Sequence, residues 1–221
     1  MNSPRVVVPL ALLAAAIATT PAHAKSAKVK KATLSWSQVN TYNTAVPAPA
    51  QRTWAGYVAT FNKGTVTPLA GATGQTVTGT SATGLTATFT QAFKGTKGKI
   101  DTKKAKGTIQ FKGIVEFKTA LFTTTVENPK LVLKGKTGQI FASGKTDVPN
   151  ANYSSKPLLN LDLSAAKFSK KKTKLTIKGI VPSIATTNLA FPANYPVGAG
   201  PDRTPNTFGS FAVTVSVKPS K

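Results

Sequence analysis

The chain has 221 residues, 29 of them lysine or arginine against six acidic, for a net charge of +23. It contains no cysteine, a single histidine (His23) and a single methionine (Met1), so disulfide staples are excluded and a hydrophobic core must carry stability alone. A chain of this length buries enough surface in one domain to do so, and its charge favours polyanionic contacts.

Residues 1–24, MNSPRVVVPLALLAAAIATTPAHA, carry one early positive charge at Arg5 and an apolar run from Val6 to Ile17. They close on Ala22-His23-Ala24. This pattern predicts a secretory signal peptide, since the apolar run is short for a membrane span and a small-x-small cleavage site follows it. Cleavage after Ala24 removes His23 and Met1, and no later apolar run could serve as a transmembrane anchor. The expected location is therefore secreted or extracellular, with cell-wall association possible through non-covalent contacts. Residues 25–31, KSAKVKK, form a basic lead-in expected to be flexible.

From Ala32 the pattern is β almost throughout, and residues 32–217 are expected to form one domain. A short helix is expected after Trp36: Trp36, Val39 and Asn43 fall on one side at helical spacing, and Val39, Tyr42 and Val46 on another. Pro47 and Pro49 would end it. The clearest strand is GTIQFKGIVEF, in which Ile109, Phe111, Gly113, Val115 and Phe117 alternate with Thr108, Gln110, Lys112, Ile114 and Glu116. LLNLDLS groups Leu159, Leu161 and Leu163; KLTIKGIV groups Leu175, Ile177, Gly179 and Val181; FAVTVSV groups Phe211, Val213, Val215 and Val217. The segments NKG, KGTKGK, ENPK, GKTGQ and VPNAN between them have turn chemistry. The fold class is thus all-β: an antiparallel β-sandwich or barrel-like single domain with one or two short helices.

Catalysis finds little to work with. Without histidine or cysteine in the mature chain, Ser/His and Cys/His nucleophiles and the usual zinc sites are excluded. Ser164 and Lys167 have S-x-x-K spacing, but the motif lies beside a strand and no S-D-N accompanies it. The six carboxylates, Asp101, Glu116, Glu127, Asp147, Asp162 and Asp202, read as partners for nearby lysines rather than as a glycosidase pair. The sequence is read as that of a non-enzyme. The lysine runs lack exposed aromatics for stacking, so non-specific polyanion contact is expected and sequence-specific nucleic-acid readout is not.

GKIDTKKAKGTIQFKGIVEF (98–117) resembles the hairpin of the HtaA-type haem-binding domain of actinobacterial cell envelopes. TTTVENPKLVL, LLNLDLS and FPANYPVGAGPDRTPNTF resemble later blocks of that family, in its order, and KATLSWSQ resembles its first strand and tryptophan. The resemblance implies an all-β envelope domain that binds or relays haem. It implies a tyrosine from the short helix after the tryptophan as iron ligand, a serine one turn earlier against the haem, and a histidine before the Asn-Pro turn. Transferred here, it implies Tyr42 as the metal ligand and Thr41 and Tyr42 as the haem-binding pair. Tyr42 stands one turn before the family's tyrosine position near Ala45, and Lys118–Ala120 holds no histidine. Tyr195 matches the family's Tyr-Pro turn, while Tyr57, in AGYVATF and expected on a strand, and Tyr153 are assigned no role. The alternatives are the same fold without haem ligation, binding acidic cell-wall polymers through its lysines, and a structural domain with no small ligand.

Overall fold

In the computed structural model, the described residues are 26–42, 49–51, 53–81, 84–191 and 207–218. The expected signal peptide and Tyr195 lie outside them. Threonine is abundant and acidic helix formers are few, and this composition fits pleated, half-buried backbone. The strands are β1 (Ala27–Tyr42), β2 (Pro49–Gln51), β3 (Thr65–Leu69), β4 (Thr73–Ser81), β5 (Gly84–Asp101), β6 (Lys106–Lys112) and β7 (Ile114–Lys118). They continue with β8 (Thr123–Lys134), β9 (Thr137–Asp147), β10 (Asn150–Asp162), β11 (Lys167–Lys171), β12 (Lys174–Ile184) and β13 (Ser210–Val217). One helical segment interrupts them, α1 (Trp54–Gly56), continued by a π-helical turn, Tyr57–Phe61.

Eight strands close a cylinder in the order β1-β13-β12-β10-β9-β8-β6-β5, and β5 pairs back onto β1. All its ladders are antiparallel. Five of the described strands lie off the cylinder. β4 extends β5, β11 extends β12, β2 pairs the end of β1, and β3 joins β7 at the edge of β8. An eight-strand barrel has room for its inward side chains and little else. Leu34, Ile109, Leu131, Leu175, Ile177, Val213 and Val215 fill it and are buried, each contributing about 1.5–3 kcal/mol by leaving water.

Long strands bend around a barrel only where an extra residue relieves the ladder, and several expected turns turn out to be such places. KGTKGK lies inside β5, with a register shift between Gly95 and Lys97. Asn128-Pro129 lies inside β8, where the shift falls between Glu127 and Lys130 and Asn128 takes φ 47°. The single strand expected over 107–117 is split at Gly113, φ 135°, whose carbonyl accepts from the Asn128 N–H at 2.8 Å. The alternation survives the split: Ile109, Phe111, Val115 and Phe117 are all buried.

Two expectations are corrected here. The helix after Trp36 is strand instead, because β1 runs without a break to Tyr42 and is held by β5 as far as Thr41. Val181, expected inside, is exposed, because a bulge between Ile177 and Ile180 exchanges the faces and buries Ile180. Of the basic lead-in, Ala27–Lys31 belong to β1.

Candidate functional site

The helical segment is short because only WAGYVATF supports it. Trp54 and Val58, four residues apart, share one face, and both are fully buried against the barrel. Its first turn is tied down from outside. The side chain of Thr53, at the N-cap, makes no capping hydrogen bond. The amide of Gln38, fully buried on β1, takes that role: its Oε1 accepts from the Ala55 N–H at 2.8 Å, and its Nε2 donates to Gln91 Oε1 at 3.3 Å. The Trp54 N–H donates to the Thr207 carbonyl at 3.1 Å, beside a parallel bridge between Thr53 and Thr207. A helix of this length cannot persist by propensity; the barrel holds it.

An aromatic cluster joins the helix to the barrel. Trp36 stacks on Phe211 at 5.2 Å and meets Phe117 edge-on at 5.7 Å. Phe117 then meets Trp54 at 5.8 Å, and Trp54 stacks on Tyr57 at 5.8 Å. Phe122 completes the outer layer, 5.5 Å from Trp54 and 6.4 Å from Tyr57, its ring within 9° of the tyrosine plane. Phe122 comes from a tight turn fixed by Thr119, whose Oγ1 accepts from the N–H groups of Leu121 and Phe122. Tyr57 is half-buried between these partners.

The same helix start borders a cleft of about 520 Å³, lined by Ser37, Val39, Thr53, Val181, Ile184 and Phe208 among others. Val39 and Val181 leave 37% and 53% of their surface exposed there. Thr53 is therefore shared by the cleft and the Tyr57 helix.

The residues singled out from sequence are not on this helix. Thr41 and Tyr42 end β1, opposite Gln51 and Pro49 of β2. Lys118–Ala120, where the family resemblance puts a histidine, leads into the Phe122 turn beside Tyr57. Tyr153 is buried and its hydroxyl donates to the Thr125 carbonyl; burial first, then the nearby Glu127 charge, push its phenol above the usual range. The carboxylates serve local backbone: Asp101 accepts from Lys103 and Lys104, Asp147 from Thr123, and Asp162 from Ser164. Among the described residues no cluster of histidine, cysteine or carboxylate ligands could hold a metal ion. AGYVATF, expected as strand, is helical instead, and that puts Tyr57 on the helix. The spacing Trp54, Tyr57, Val58, Phe61 was the available signal.

The model of the HtaA family (Htaa) matches residues 49–205. The matched segment begins after Tyr42 and includes Tyr57. The C-terminal domain of HtaA from Corynebacterium glutamicum is similar in fold, with a TM-score of 0.55 at 16% identity, covering 87% of this chain and 100% of that one. The N-terminal domain of the same protein has a TM-score of 0.52 at 16% identity, covering 86% and 99%. A domain-swapped dimer of a histidine-to-alanine variant of the C-terminal domain has a TM-score of 0.50 at 18% identity, covering 74% and 87%. No curated protein matches the chain in sequence.

Proposed function

Because this chain belongs to the HtaA family, we propose that it is a non-catalytic haem-binding protein of the cell envelope that holds ferric haem through Tyr57. One observation carries the assignment: Tyr57 is a tyrosine on the short helix, inside the matched segment, half-buried against Trp54 and Phe122. A phenolate is a hard anionic donor suited to ferric iron, and tyrosine is an established axial ligand type. Aromatic surface beside it suits a flat, largely apolar cargo. The donor set fits haem in this respect, and after removal of residues 1–24 no histidine, cysteine or methionine remains to compete.

Thr53, four residues before Tyr57, occupies the place of the serine implied by the family resemblance. Thr119 and its neighbours stand where the histidine would be, so Tyr57 is the one side chain assigned to iron. Lys63 and Lys118, both exposed at this end of the barrel, provide ammonium groups for the propionates. Haem is cargo in this reading. The signal-like residues 1–24 support export before binding.

The test is a ferric haem titration of the protein, followed in the Soret and charge-transfer bands. Saturable one-to-one binding is expected. Tyr57→Phe, which keeps the stacked ring, should abolish the charge-transfer band, with circular dichroism checking that the fold is kept; Tyr42→Phe should bind as the parent does. A Soret shift that survives Tyr57→Phe but not Tyr42→Phe would return the ligand to β1. No shift at all would end the haem assignment.

A further inference from the structure

On the outer face of β1, β5, β6 and β8, lysines stand directly opposite one another across the ladders: Lys28 faces Lys99, Lys94 faces Lys112, and Lys106 faces Lys134. All six are exposed. Like charges in directly opposite positions destabilise a sheet, so a fold that places three such pairs side by side has given up stability there. Two cavities lie on this surface. One, about 710 Å³, is lined by Lys28, Lys97, Lys99, Lys218, Thr108 and Gln110 among others. The second, about 400 Å³, includes Thr96, Gln110, Lys112, Asn128, Lys130 and Ser143 in its lining. They share Thr96 and Gln110, whose contact through Thr96 Oγ1 and the Gln110 carbonyl is 3.2 Å. The depression is built by the backbone: the β1–β5 ladder has no pairs between Lys28/Lys99 and Thr33/Lys94, where Thr96 bulges from β5. The Lys218 N–H donates to the Lys28 carbonyl at 2.9 Å and keeps those two residues together.

We propose that this groove binds a linear, flexible polyanion without bases, a polymer repeating phosphate or carboxylate groups along its length. No aspartate or glutamate lines either cavity. The cations are lysines throughout, hydrated point charges that accept any anionic oxygen, and the planar fork of arginine is absent from the lining. Hydroxyl and amide groups between them, from Thr96, Thr108, Gln110, Asn128 and Ser143, can donate to further oxygens or to sugar hydroxyls. Phe111, the aromatic residue of the lining, is 2% exposed, so the groove offers no platform for stacking bases. Two connected cavities favour a chain passing through over a single small anion. None of these residues belongs to the Tyr57 site, and the proposal stands or falls apart from haem binding.

The experiment is calorimetric titration of the protein with inorganic polyphosphate, polygalacturonate and oligo(dT) at matched charge, over a range of salt. Polyphosphate or polygalacturonate should bind saturably, with affinity falling steeply as salt rises; the tighter of the two assigns the anion. Lys28→Gln/Lys99→Gln/Lys218→Gln should weaken binding by about tenfold or more, because each lysine contributes its own released counterions. Lys145→Gln/Lys167→Gln/Lys178→Gln, at exposed lysines that line neither cavity, removes the same number of charges elsewhere and should weaken it far less. Thermal unfolding of both triple variants checks that the barrel is intact. Equal losses in the two variants would reduce the groove to diffuse charge and overturn the proposal. So would failure to bind either base-free polymer, or tighter binding of oligo(dT).

Discussion

Replacing Gln38 by leucine removes the amide that holds the first turn of the Tyr57 helix against β1. The parent amide is fully buried and makes two hydrogen bonds, accepting from the Ala55 N–H at 2.8 Å and donating to Gln91 Oε1 at 3.3 Å. Leucine satisfies neither group. Ala55 is fully buried and Gln91 is 3% exposed, so water does not readily replace the lost partner. Each orphaned buried group costs about 1–3 kcal/mol. The longer bond sits at the low end, and leucine returns some apolar burial, so the expected loss is about 3 kcal/mol. Against a typical domain stability of 5–15 kcal/mol that is large, and it corresponds to a fall in Tm of roughly 6–12 °C for a chain of this size. Urea denaturation should show a lower midpoint with an unchanged slope. Adding Gln91→Leu removes the second orphan, so the double variant should be more stable than the sum of the single losses allows. A Gln38→Leu protein within about 0.5 kcal/mol of the parent, or strict additivity in the double variant, would refute the reasoning.

Two further outcomes follow from the same geometry. Any side chain at Gly64 would run into the Lys118 carbonyl, so Gly64→Ala should destabilise the protein by about 1–3 kcal/mol and lower haem affinity by displacing the end of the Tyr57 helix. Tyr153→Phe leaves the Thr125 carbonyl without its donor and should cost about 1–2 kcal/mol in urea denaturation. With its phenol pushed above the ordinary value of about 10, Tyr153 contributes stability that is complete below that pH and is lost as pH climbs towards its folded value. The parent should therefore lose more stability than Tyr153→Phe between pH 9 and 11, read from unfolding midpoints.

The barrel was legible in the sequence wherever one face of a strand is buried along its whole length. Phe211, Val213, Val215 and Val217 alternate inward, as do Leu159, Leu161 and Leu163, and all are buried. Alternation misleads at bulges, which exchange faces without leaving a polar gap, and Val181 is the example. Turn chemistry misleads for the same reason: Gly95 and Asn128 supply bends that curve a strand as readily as they reverse it. The helix was misplaced because Trp36 to Tyr42 satisfies both periods over so short a span, and only pairing with β5 and β13 decides for strand. At Tyr57 the helical spacing was present but brief, and the group that stabilises the first turn, Gln38, lies on another strand. No local window contains both. The lysine groove was invisible for a related reason, since Lys28 and Lys99 become neighbours only through register.

The placement of β13 governs how this fold can be assembled. Hydrogen-bonded to β1 on one side and β12 on the other, it is the last described strand in the chain and the only bridge between those two in the cylinder. Until residues 210–217 arrive, β1 and β12 present two bare edges, each able to pair with a stranger. No contiguous run of earlier strands can close the ring. Closure therefore waits for a strand some 170 residues after β1 ends, a long-range step that slows folding, and a chain cut short before β13 would be left with both edges open to aggregation.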